Sequence, residues 1–422
     1  MATAQRGDLY SRLSVPGASV THHERWISVD ALRAIAALMV LVSHAGLLAL
    51  AEPTGVVRNA SRLGVGVWIF FAASGYLIAG PFLRALLEGR STPRVGRYAL
   101  RRAVRILPAY WVALAAILLL VTGSALSHWW QVPVHALLIH GFVPGELKSF
   151  YLVAWSLAVE AIFYALVPLG AWLVVRRTRG RAVPLDRLFA GVLALWGAAV
   201  AVSVALALAY PLEPGRALPG GVQVLGLVGS LANFCPGMLV FLAVTAGADE
   251  SSRWWRGYAA VASRPFPTVA VAVVLLLAAT QLPFQTSHLA VAAQGPLFGI
   301  ASGLVLATFV YGGWTRRMAR VLAPIGLVSY GVYLWHWVIL SALIHHGISI
   351  VSGTGLAATG VRMVALVLLT LPVATASWLL IERPLLRRTA GWERRSNARE
   401  AARSRREPVG RAPAPLPASS RP

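Results

Sequence analysis

A histidine that follows an arginine by eleven residues inside an apolar run is the first chemically loaded pattern in this sequence. In RWISVDALRAIAALMVLVSH, Asp30 and Arg33 stand three apart, and His44 lies eleven beyond Arg33. At 100° per residue, eleven steps return to within ~20° of the starting direction, so Arg33 and His44 share one helix face about 16 Å apart along the axis. Ionisable groups in hydrocarbon are costly unless paired or hydrated, which makes each a candidate for function. A guanidinium near the cytoplasmic surface and an imidazole near midplane suit an extended donor with an anionic head and a buried reactive end. Acyl-CoA has that shape, and a neutral imidazole is suited to take a proton near neutral pH. The other reading of these residues is an interfacial Asp30–Arg33 pair, with His44 as a hydrogen-bonded packing residue.

Two more polar stripes lie on apolar backgrounds. In AWSLAVEAIFY, Ser156, Glu160 and Tyr164 recur every four residues and so form one line along a helix. Glu160 lies deep in hydrocarbon, where a carboxyl either has a raised pKa or is paired with a cation such as a histidine or arginine, and it is expected to orient His44 or polarise an acceptor. In SYGVYLWHW, Ser329, Tyr333 and His336 fall at steps of four and three, which fits either a catalytic histidine or a hydrogen-bonded core one. Ser74 sits in FFAASGYLI, but no GxSxG elbow occurs in the chain, so it reads as a packing or substrate contact. Arg101, Arg102 and Arg105 precede ILPAYW at the mouth of an apolar run and can meet phosphates, although topology alone also accounts for basic residues there. His128, His135 and His140 have no carboxylate partner nearby and no metal-ligand spacing, so no metal site is expected. Cys235, the single cysteine, allows no intrachain disulfide and reads as a small buried hydrophobe.

Elements of one kind must position these stripes. Of the 422 residues 57% are hydrophobic and 13% charged, against about 25% charged in soluble domains. The expected fold class is all-α, a polytopic membrane protein of about ten transmembrane helices, each needing ~20 apolar residues. The runs fall at 31–51, 64–87, 106–126, 151–175, 187–210, 222–245, 267–281, 289–311, 324–345 and 358–381, and the proline-flanked run at 267–281 is the weakest. The stretch 132–143 is too short to span and is expected to be re-entrant or interfacial. No short apolar stretch ending in a cleavage site precedes the first run, so that run is expected to stay as an anchor. Gly295, Gly299 and Gly303 recur every four residues, a spacing for close helix packing.

The formal charge of +23 gathers in alternate loops at 90–105, 176–181, 253–264 and 316–320 and at the ends. That alternation predicts a multi-pass cell-membrane protein with both termini cytoplasmic. With no basic stripe interleaved with aromatics, no nucleic-acid partner is expected. Three segments follow: a cytoplasmic 1–27, a transmembrane domain at 28–386, and a tail at 387–422. The tail, with ten Arg and three Glu, is expected to be disordered and to lie on anionic lipid.

The ordered set VDALRAIAALMVLVSH, FFAASGYLI, RRAVRILPAYW, AWSLAVEAIFY, SYGVYLWHW and IERP resembles the acyltransferase-3 family, membrane enzymes that modify sugars on bacterial surface glycans and natural products. The resemblance implies that His44 is catalytic, that Arg33 serves the acyl donor, and that Glu160 is the functional glutamate of its motif. It implies an O-acyltransferase with acyl-CoA as co-substrate and no bound cofactor. The acceptor would be a hydroxyl of a surface glycan or of a glycosylated natural product such as a macrolide, and the group moved an acetyl or other short acyl. On the residues, His44 is the general base with Glu160 beside it, while Arg33, Arg101, Arg102 and Arg105 hold donor phosphates. Asp30, Ser74, Ser156, Tyr164, Tyr333 and His336 are supporting or acceptor contacts. The rival from another class is a proton-coupled transporter, since intramembrane His, Glu and Arg also build proton relays. The internal repeats common in transporters are not found.

Overall fold

Hydrocarbon leaves a chain only helices or closed barrels, because every backbone group must be satisfied internally. The computed structural model of this protein consists of helices. It describes residues 20–45, 62–121, 126–146, 150–209, 230–282, 288–312, 314, 316–351 and 356–406, and no strand occurs among them. In chain order the main helices are α1 (Val20–Ala45), α2 (Gly66–Glu88), α3 (Val95–Leu120), α4 (Ala154–Thr178), α5 (Leu185–Ala209), α6 (Cys235–Thr245) and α7 (Arg253–Ala262). They continue as α8 (Pro265–Gln281), α9 (His288–Tyr311), α10 (Arg316–Leu327), α11 (Ser329–His345), α12 (Leu356–Ser377) and α13 (Arg383–Arg406).

Seven stretches among the described residues are long and apolar enough to cross a bilayer, and nine if the bent pairs α7–α8 and α10–α11 each count as one span. The count is therefore seven to nine against the ten expected from sequence. The run at 222–245 falls partly outside the described residues, and its described part, Leu231–Thr245, is shorter than a span. The run at 267–281 is short because α7 and α8 meet at 85° just before Pro265, where the proline ring pushes the preceding residue out of helical backbone.

Helix α1 lies at the centre and touches α2, α9, α10, α11 and α12. Several of its inward residues are small: Ala31, Ala34, Ala36 and Ala37 are at most 1% exposed. Small side chains let helix backbones approach closely where hydrophobicity supplies no drive between helices. At Gly326 of α10 any Cβ would collide with the carbonyl of Asp30. Gly299 and Gly303 of α9 meet Asn233 and Pro236 in the same manner, whereas Gly295 has no neighbour within 4 Å. Packing thus explains two of the three spaced glycines.

Two expectations are corrected. The basic segment from Arg387 is not disordered as far as Arg406: α12 passes through a π-helical turn at Trp378–Glu382 into α13. Tertiary contacts hold this polar helix, because Arg101 of α3 pairs with Glu393 at 2.8 Å and Arg97 donates to Ser396 at 3.2 Å and to Asn397. Between α3 and α4, one of the three histidines, His135, does have a carboxylate. Glu146 lies 3.5 Å from Nε2 of His135 and accepts from Gln131 Nε2 at 2.7 Å. The chain doubles back there through Gly145 at φ +82°, which sequence proximity alone does not reveal. His135 and His140 stack at 4.2 Å. Burial lowers both imidazole pKa values, His140 to about 3, with Glu146 opposing the shift at His135.

Candidate active site

Helix α3 begins at Val95, so Arg101, Arg102 and Arg105 lie within it rather than before it. Arg101 and Arg105, four apart, share a face that meets Arg33 of α1 across a cavity of about 660 Å³. That volume falls in the ~300–1,000 Å³ range usual for ligand sites. Asp30, Arg33, Arg101, Arg102 and Arg105 line it together with Ser74, Ser156, Glu160, Tyr164 and Tyr333, among mostly apolar neighbours such as Phe70, Leu77 and Ile106. Of the twelve residues assigned to the site from sequence, ten line this cavity, and His44 and His336 do not.

Carboxylates balance three of the arginines. Arg33 pairs with Asp30 at 3.2 Å, Arg105 with Glu382 at 3.5 Å, and Arg101 with Glu393 at 2.8 Å. Arg105 also lies 5.0 Å above the Trp378 ring. Arg102 makes no ion pair among the described residues and sits 5.9 Å over the Tyr164 ring, which leaves it the best placed to receive an anion. Sequence reasoning missed Glu382, Trp378 and Glu393. A signal for Glu382 was present, since IERP puts a carboxylate directly after the last apolar run.

Along the wall, Ser74 Oγ donates to Glu160 Oε1 at 2.6 Å. The hydroxyls of Ser156 and Tyr333 meet at 2.7 Å, and Tyr333 donates to the Val153 carbonyl at 2.8 Å. Glu160 therefore does not orient His44. The partner of His44 is His336, with His44 Nδ1 and His336 Nε2 at 3.2 Å and the rings stacked at 5.2 Å. The reason is positional: α2 brings Ser74 to Glu160, while α11 runs beside α1 and sets His336 against its last described turn. His44 lies eleven residues beyond Arg33, about 16 Å along the α1 axis, on the side away from the arginines. Tyr333 links the two halves of the site, since it lines the cavity and its ring lies 5.9 Å from that of His336.

The sequence model described as an acyltransferase domain matches residues 26–382. The chain belongs to the acyltransferase-3 family. This membrane acyltransferase is 28% identical to the exopolysaccharide production protein ExoZ of Rhizobium meliloti over 366 residues, 84% of this chain and 98% of that protein. It is 25% identical to Nodulation protein 10 of Rhizobium leguminosarum over 388 residues, 85% of this chain and 92% of that one. With the peptidoglycan O-acetyltransferase OatA of Listeria monocytogenes it shares 28% identity over 182 residues, 39% of this acyltransferase and 25% of the other protein. No solved structure matches it. The family match ends on Glu382, so the buried partner of Arg105 lies inside it and Glu393 beyond it.

Proposed function

We propose that this acyltransferase moves an acetyl or other short acyl group from acyl-CoA to a hydroxyl of a carbohydrate-containing acceptor. The observation that carries the reading is the cavity itself: four arginines and a set of polar side chains in its lining, and a histidine pair beyond Tyr333. Arg33, Arg101, Arg102 and Arg105 hold the donor phosphates, since forked guanidinium groups match phosphate oxygens. The acyl end passes Tyr333 to reach His44. As the acceptor oxygen bonds to the thioester carbon, His44 Nε2 takes the hydroxyl proton. When the tetrahedral intermediate collapses, the C–S bond breaks and His44 returns that proton to the departing thiolate. Glu160, held by Ser74, offers its remaining oxygen to an acceptor hydroxyl. The names borne by ExoZ and OatA favour a surface glycan over a glycosylated small molecule such as a macrolide.

Donor kinetics test the arginine assignment. Arg33→Ala should raise the KM for acetyl-CoA about tenfold or more, the scale of a lost charge-assisted hydrogen bond, and Arg33→Lys should recover only part of it. Glu393→Gln should lower the same KM by up to about fivefold, because it frees a partly exposed arginine from an ion pair of modest strength. Arg33 variants that shift acceptor saturation and leave donor saturation unchanged would move Arg33 to the acceptor site.

The donor also fixes the orientation, with the arginine end and both termini in the cytoplasm. After Cys235 is replaced, single cysteines at Ser91 and Thr178 should resist a membrane-impermeant thiol reagent in intact cells, while one at Ser127 should react. Labelling at Ser91 from outside would leave the arginines facing a compartment without acyl-CoA.

A further inference from the structure

We propose that His336 is the positioning residue of the site: it fixes His44 in the tautomer whose Nε2 is unprotonated. The chain of contacts starts at a carbonyl. His336 Nδ1 lies 3.0 Å from the Val332 oxygen, which can only accept, so Nδ1 carries a proton. A neutral imidazole carries one N–H, and His336 Nε2 is then an acceptor. Facing it at 3.2 Å is His44 Nδ1, which must donate. That contact calls for the proton on Nδ1, and His44 Nε2 is left bare.

Burial makes the arrangement restrictive. His336 is fully buried, so water cannot take its place, and Trp337 closes the side of His44 at 5.3 Å, edge to ring. Neither ring has an ion-pair partner among the described residues, and a second proton on His336 would place an uncompensated charge in hydrocarbon. His44 is only half-buried. When His44 takes a proton on Nε2, its Nδ1–H continues to donate to His336, which shares the positive charge while no proton leaves the pair.

The spectroscopic test does not depend on the acyltransferase reading. Full-length protein in lipid bilayers, with 15N-labelled histidine assigned through sequential backbone correlations, should give a protonated Nδ1 and a bare Nε2 for both His44 and His336. A bare Nδ1 on either ring overturns the proposal. The kinetic test rests on His44 being the base. His336→Leu removes the acceptor and should cost about a hundredfold in kcat with the KM for acetyl-CoA unchanged, because His336 does not line the donor cavity. His336→Gln sets an amide oxygen near the position of Nε2 and should retain kcat within about tenfold. Equal kcat for the Leu and Gln variants would make His336 a packing residue only. Absence of transfer by the wild type would sink the base assignment, and the nitrogen spectrum would still decide the tautomer.

Discussion

His44→Ala is expected to lower kcat by about 10²–10⁴-fold, the usual loss when a general acid–base group is removed, while the protein still inserts and folds. His44 is in the last described turn of α1 and only half-buried, so truncation opens no deep cavity. The structural cost is the hydrogen bond with His336, about 1–3 kcal/mol if the buried acceptor is left unsatisfied. The packing of α1 on α10 rests on Ala31, Ala34 and the Gly326 contact at the other end of the helix. Size-exclusion elution and thermal midpoint should stay close to wild type as turnover collapses. Turnover near wild type in that variant would remove His44 from the chemistry.

Glu382→Leu is expected to cost about 3–5 kcal/mol of stability, since it strands Arg105 without its carboxylate. Glu382 is fully buried in the π-helical turn and Arg105 is 19% exposed. The double variant Glu382→Leu with Arg105→Met should recover much of that loss, because an apolar pair of similar volume carries no desolvation cost. Unfolding in mixed micelles would measure both. A single variant as stable as wild type, or a double variant no better than the single, would show that the pair does not lock α13 to α3.

Much of this was legible in the sequence. The helical class followed from apolar run lengths, and six of the residues chosen by helical spacing, Asp30, Arg33, Ser156, Glu160, Tyr164 and Tyr333, converge on one cavity because spacing of three and four residues sets a helix face. What spacing cannot show is which faces meet. His44 and His336 are 292 residues apart, and only the fold puts His336, rather than Glu160, beside the base. The segment after Arg387 misled for a related reason: composition describes a chain alone in water, and Glu393 and Ser396 find partners on α3 that composition does not contain. The bends of 85° and 57° were likewise invisible to a count of apolar residues, which carries no information on the direction of a helix.

The most direct test of the central claim is transfer of radiolabelled acetyl from acetyl-CoA to a panel of p-nitrophenyl glycosides by the purified full-length protein. The expected result is label in an alkali-labile ester on a glycoside hydroxyl, dependent on His44 and saturable in acetyl-CoA. Transfer that His44→Ala leaves unchanged would contradict it, as would no transfer from any short-chain acyl-CoA to any glycoside or isolated surface glycan.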